Sequence, residues 1–221
     1  MVKSSIFYTD LYQKLQMKIK DFLNSQEEFL SGSTAQSTRA VGDAIEHIIG
    51  ENFDSILGKD VCSGYSSDFA RRAMADLAFE DNHGLYYVVD VKTHRRGTKF
   101  SMPNLTSVER LSRFYEDDKN HFVILMVSYV IQGVRAVVEE VLFLPIEFLE
   151  WDCLTIGALG WGQIQIANSN VILTSPGYSR RSWMLELCDA LFEFYPREIA
   201  KIDKRVEHFK KVREQWEKRR D

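Results

Sequence analysis

Residues 74–92 read MADLAFEDNHGLYYVVDVK, and this stretch decides the fold class. Residues 74–79 and 85–92 are apolar runs separated by EDNHG at 80–84, a cluster of turn formers. The spacing predicts two strands joined as a β-hairpin. Six of the eight positions from 85 to 92 are apolar. Residues i and i+2 of a strand share a face. Asp90 and Lys92 are therefore expected to project together while Val91 points into the core, and the turn folds Asp76 back toward them.

Charges at the end of so apolar a strand are costly unless they are paired or bind metal. Two hard carboxylates suit Mg²⁺, which keeps several waters and takes phosphate oxygens as further ligands. Such an ion activates a water and neutralises charge on a pentavalent phosphorus. An adjacent lysine positions or deprotonates that water, or stabilises the developing charge. The alternative for Asp76, Asp90 and Lys92 is a structural ion pair at a sheet edge.

Upstream, Phe7, Leu11, Leu15, Ile19 and Phe22 predict a helix within the first 30 residues. A polar connection follows at 31–37, then a second helix over about 38–53 with Val41, Ile45, Ile48 and Ile49 on one face. Residues 54–67, with Gly58 and Gly64, are irregular and have room for one short strand. Downstream of the hairpin, a loop over 93–104 leads to Thr106 and Glu109, spaced as a capping box for a helix bearing Val108, Leu111, Phe114 and Tyr115. Residues 122–131 read as a strand buried on both faces, and 134–144 as its antiparallel neighbour across Gly133. Residues 154–173 are glycine-rich, then alternating, and predict one strand. Two helices are expected over 182–220, with Pro196 in the first turn of the second. That second helix carries an apolar stripe of Ile199, Ile202, Val206, Phe209, Val212 and Trp216.

The expected fold class is α/β: a mixed central sheet flanked by helices, with added N- and C-terminal helices. One domain over 1–221 is expected, divided into an N-terminal helical arm (1–30), a core (38–180) and C-terminal helices (182–221).

The composition agrees. Of 221 residues, 45% are hydrophobic and 27% charged, which excludes disorder and fibrous repeats. Lys and Arg number 28 against 32 Asp and Glu, a net charge of −4. That excludes a wholesale basic nucleic-acid binder but not a local basic face. Cys62, Cys153 and Cys188 are too few and too widely spaced for a disulfide framework or a CxxC zinc site. No secretory h-region opens the chain, and the longest apolar run, 122–127, is far short of the roughly 20 residues that span a bilayer. A cytoplasmic protein with no membrane association is expected.

Asp76 followed by Asp90-Val91-Lys92 resembles the PD-(D/E)xK nuclease signature on the restriction-endonuclease-like core, whose element order matches the order above. One departure is that Met74-Ala75 puts no proline before Asp76. Gly42 and Glu46 resemble that family's first-helix glutamate, with Asp43 a nearby rival. Met102-Pro103-Asn104 is similar to a Pro-Asn turn in restriction enzymes of the HincII and SwaI type. Residues 162–166 (GQIQI) resemble their Gln-bearing recognition strand, and 180–183 (RRSW) the start of their next helix. The likeness spans about residues 38–195.

It implies a Mg²⁺-dependent type II restriction endonuclease of the HincII, SwaI and EcoRV type. Such an enzyme hydrolyses both strands of a short palindrome in double-stranded DNA, leaving 5′-phosphates and, by analogy, blunt ends. The resemblance makes Asp76, Asp90 and the Val91 backbone carbonyl metal ligands. Lys92 orients or activates water, and Glu46 supports the metal. It further implies a homodimer and a cognate DNA methyltransferase in the same system. The competing readings are a structure-specific or repair nuclease of the same fold and a non-catalytic DNA-binding protein.

Such an enzyme needs phosphate contacts for affinity and base contacts for specificity. Arg95, Arg96 and Lys99 follow the DxK strand directly, and Arg39 stands at the start of the second helix. Gln163, Gln165, Asn168 and Asn170 form an amide-rich run suited to adenine edges, with Asn104 at the Pro-Asn turn. Arg180 and Arg181 are candidates for guanine or phosphate. Each has an ordinary alternative: a solvated loop, an exposed strand face, or Asn residues that only make turns. His83 and His94 match no metal spacing, and the basic stretch 197–220 is equally readable as a solvated helix.

Overall fold

In a computed structural model, residues 3–26, 30–31, 34–66 and 75–219 are described. The protein is α/β, with a mixed central sheet and flanking helices. Five strands form that sheet in the order β1 (Cys62–Ser66), β2 (Leu77–Asp81), β3 (Tyr86–Arg95), β5 (Asn120–Gln132) and β6 (Arg135–Pro145). β2 and β3 are the expected antiparallel hairpin, with Leu77 opposite Val89. Asp81 holds its turn: one carboxylate oxygen accepts from the His83 and Leu85 amides and the other from the Tyr87 hydroxyl. Met74, expected in the first strand, lies outside the described residues.

β3 pairs with β5 in parallel, and the connection carries β4 (Asn104–Ser107) and a short helix, α3 (Val108–Phe114). β5 is buried from His121 to Tyr129 and pairs antiparallel with β6, as the Gly133 turn predicts. The expected capping box does not form. Thr106 is buried in β4, and Ser107 sits at the helix N-cap with no side-chain cap bond. Extended pairing of β4 with β8 (Gln163–Ile166) takes up the residues that would have made the cap. β7 (Leu154–Gly157) completes a separate three-stranded antiparallel sheet, β4-β8-β7. The single strand expected over 154–173 is thus a pair, because Gly160 and Gly162, both at positive φ, turn the chain between β7 and β8.

α1 (Leu11–Ser25) buries Tyr12, Leu15, Ile19 and Leu23. It bonds to β6 through Asn24, whose side chain donates to the Val138 carbonyl and accepts from the Val138 amide. The N-terminal helix is therefore part of the core and not an arm. α2 (Thr38–Leu57) starts on Ser37, whose hydroxyl accepts from the Ala40 amide, and buries Val41, Ile45, Ile49 and Phe53. Phe7, Phe53, Phe79, Tyr87 and Phe143 interlock between these helices and the sheet.

At the C-terminus one helix, α4 (Arg180–Glu217), replaces the two expected. Pro196 lies inside it, without the N–H that would bond the Phe192 carbonyl. The Arg197 side chain donates to the neighbouring Glu193 carbonyl, and the helix continues. Among the described residues no helix is long and apolar enough to cross a membrane.

Candidate active site

Two glycines set α2 on the sheet. A Cβ on Gly42 would lie 2.7 Å from the Thr93 hydroxyl, and one on Gly50 would touch Leu77. The helix therefore crosses β3 near Thr93 and β2 near Leu77. Glu46 sits midway between the glycines, one turn from each. It lines an open cleft of about 530 Å³ with Asp43, His47, Gly50, Glu51, Asp76 and Leu77.

Asp76 lies immediately before β2. Its amide donates to the Val89 carbonyl, and its Oδ2 accepts from the Val91 amide at 2.7 Å. Its carboxylate thus occupies the β2-side edge of β3 where the pairing of β2 stops. The Val91 carbonyl points to the same edge, because the N–H and C=O of one strand residue face one neighbour. Thr93 faces α2, so alternation puts Asp90 and Lys92 on the other face of β3. Asp76 and Glu46 on the cleft side and Asp90 on the other face lie close enough for their charges to act on one another.

Asp90 is 5% exposed. Lys92 donates to its Oδ1 at 2.7 Å, and the expected projection of the two side chains to one face is observed. Its Oδ2 is buried and has no hydrogen-bond partner among the described residues. Burial pushes the Asp90 carboxyl up to about 7. Lys92 opposes that rise, and the nearby charges of Asp76 and Glu46 add to it. A buried carboxylate that keeps one bare oxygen and has two further acids close by is a site short of positive charge. The donor set, all hard oxygens, fits a divalent cation such as Mg²⁺. Among the described residues no group of three or more His, Cys, Asp or Glu is gathered at metal-binding distances.

The residues expected to reach DNA divide. Arg39 is exposed on the first turn of α2, 4.0 Å from Asp43. Arg95 is half-buried, donating to the Ala35 carbonyl, and Lys99 is exposed. Arg96 is paired with Glu139 and Glu140 of β6. Gln163 is half-buried in β8, and Gln165 donates to Asn104 across the second sheet. Asn168 accepts from the Asn170 amide in a turn, while the Asn170 carboxamide bonds to His94, so His94 is a buried, partnered residue. Arg181 is exposed.

Arg180 is a correction. It is 6% exposed, donates to Glu147 and to His121, and lies over the Tyr115 ring. Its guanidinium is committed inside the protein and not offered to DNA. His121 accepts that bond as a neutral ring, since burial and the arginine's charge hold its pKa at about 3.

His47 and Glu51 of the cleft, and Asp81 in the hairpin turn, were not among the expected residues. The first two had a signal: with Asp43 and Glu46 they share one side of α2 at helical spacing. A larger cavity of about 800 Å³ between α4 and the Trp151–Ile156 region lies apart from these carboxylates. No protein-family model matches the chain, and no curated protein matches it.

Proposed function

We propose that the protein is a Mg²⁺-dependent endonuclease of double-stranded DNA, a type II restriction endonuclease on a restriction-endonuclease-like core. The observation that carries this reading is the buried, unpartnered Asp90 Oδ2 beside Lys92, with Asp76 and Glu46 adding negative charge. Asp76, Asp90 and the Val91 carbonyl would hold the ion, with Glu46 supporting it from α2. The ion, when bound, supplies a Lewis acid for the phosphate and lowers the pKa of its water. Lys92 is tethered to Asp90 and would orient the attacking water and take or share its proton.

Arg39, Arg95, Lys99 and Arg181 are the cations available for backbone phosphates, and the amide edge of the second sheet is available for bases. A palindrome has two-fold symmetry, so the acting species is a homodimer, and a cognate DNA methyltransferase protects the host sites.

The test is incubation of plasmid and phage DNA with the protein and Mg²⁺, followed by electrophoresis. Discrete fragments, lost in Asp90→Ala and Lys92→Ala variants that still bind DNA, are expected. Nicking confined to junctions or damaged duplex would move the assignment to a repair nuclease of the same fold. DNA left intact with Mg²⁺ and with Mn²⁺ would overturn the reading.

A further inference from the structure

α4 leaves the body of the protein part-way along its length. Arg180, Trp183 and Leu187 are buried, whereas every residue from 199 to 211 is exposed. Phe192, Ile199, Ile202, Val206, Phe209 and Trp216 stand bare, from 49% to 73% exposed. Helices in proteins draw most of their stability from packing an apolar face, and this stretch carries its large apolar groups into solvent.

Their spacing specifies the kind of partner. Positions 192, 195, 199, 202, 206, 209, 213 and 216 alternate steps of three and four, a seven-residue repeat. Phe192, Ile199, Val206 and Arg213 occupy its first seam position, and Tyr195, Ile202, Phe209 and Trp216 its second. A seam this narrow is the pattern of a two-stranded coiled coil and not of a helix lying on a globular body.

We propose that this arm pairs with the same arm of a second copy of the chain as an antiparallel coiled coil, with Val206 of one protomer against the partner's Phe209. The flanking charges select that arrangement. In this register Asp203 meets the partner's Lys210, a pair that occurs twice, as a two-fold axis requires. A parallel arrangement sets Glu198 against the partner's Asp203 and Arg205 against the partner's Lys210, like against like. Sliding the antiparallel pair by one repeat sets Asp203 against the partner's Asp203 in one direction and Lys210 against the partner's Lys210 in the other.

Arg213 fits the seam with its stem inward, because its head already bonds to Glu217. Lys210 is paired with Glu207 within its own helix, an exposed pair that exchanges at little cost. The Phe209 and Trp216 rings of two protomers, at about 150–250 Å² each and about two-thirds exposed, supply about a third or more of the lower bound of about 1,200 Å² for a specific interface. The inference does not depend on the nuclease reading and is tested without DNA.

Sedimentation of the full chain measures it. A dimer in the micromolar range is expected, and Phe209→Asp yields a monomer. Asp203→Lys and Lys210→Asp each turn two attractions into two repulsions and weaken the dimer by about tenfold, while the double variant restores it. Circular dichroism and thermal melting of these exposed-site variants report that the body stays folded. A monomer throughout the micromolar range, a Phe209→Asp variant that still dimerises, single variants that tighten association (the parallel outcome), or a double variant no better than the singles would each overturn the proposal.

Discussion

Lys92 donates to Asp90 Oδ1 at 2.7 Å and leaves Oδ2 of the same buried carboxylate without a partner among the described residues. One cation serves two oxygens that are both removed from water. The protein therefore carries an uncompensated burial cost at this position, and three of the four predictions below start from it or from the helix that frames it.

The first concerns pH. The Asp90 carboxyl titrates near 7 in the fold against an ordinary value of 3.8, so the unfolded chain loses this proton first. Its contribution is destabilising: absent below about pH 4, growing between about 4 and 7, and full above that. Asp90→Asn should raise the unfolding free energy of the metal-free protein at pH 8 by about 1–3 kcal/mol, less than the full shift because Lys92 loses its acceptor. Urea titrations at pH 8 and pH 4 check it. A gain of equal size at both values would show that charge burial is not the cause.

On the proposed function, Mg²⁺ would supply the missing cation. The thermal midpoint of the wild type should rise with added Mg²⁺, in line with a stabilisation of about 2.7 kcal/mol at a hundredfold excess over Kd. Asp90→Asn and Asp76→Asn should show little of that rise. The readout is scanning fluorimetry, and equal shifts in all three proteins would place the ion elsewhere.

At Gly42, α2 lies directly against Thr93 of β3. In an open helix, Gly→Ala stabilises by about 1 kcal/mol. Here the new Cβ would stand 2.7 Å from the Thr93 hydroxyl. Gly42→Ala should therefore destabilise by about 1–2 kcal/mol and displace Glu46 and, on the proposed function, lower cleavage as well. Thr93→Ala in the same chain should recover most of the loss, as a double-mutant cycle would measure.

Arg180 and Arg181 are adjacent and have different roles. Arg180→Met leaves Glu147 buried without its cation and should cost about 3–5 kcal/mol of stability. Arg181→Ala should leave stability unchanged. If Arg181 contacts phosphate, its loss lowers the salt dependence of DNA affinity by about one unit of slope. Denaturation curves and binding isotherms at several salt concentrations separate the two.

Much of the fold was legible because it is a matter of local period. The β2–β3 hairpin, the buried run of β5 with its return through Gly133 and the amphipathic helices α1 and α2 each announce themselves in alternation or in steps of three and four. The same local logic put Asp90 and Lys92 on one face. Where the reading failed, a distant segment overrode a local signal. Thr106 and Glu109 have capping-box spacing, but β8 arrives to pair with β4 and keeps Thr106 extended. Pro196 reads as a helix start, yet the turns on either side of it are sound helix and carry the chain through.

The candidate site divides along the same line. Asp76, Asp90 and Lys92 could be named from spacing alone, because one hairpin holds all three. That Asp90 keeps a bare oxygen depends on what the fold packs around β3, and that Glu46 stands over the edge where β2 stops, with His47 and Glu51 in its cleft, depends on how α2 lies across the sheet. Arg180 shows the limit most clearly. Its partners Glu147, Tyr115 and His121 come from separate segments of the chain, and only their meeting turns a surface cation into a buried one. Periodicity is a property of neighbours along the chain. Burial and partnership are properties of neighbours in space, and only the packed fold brings those together.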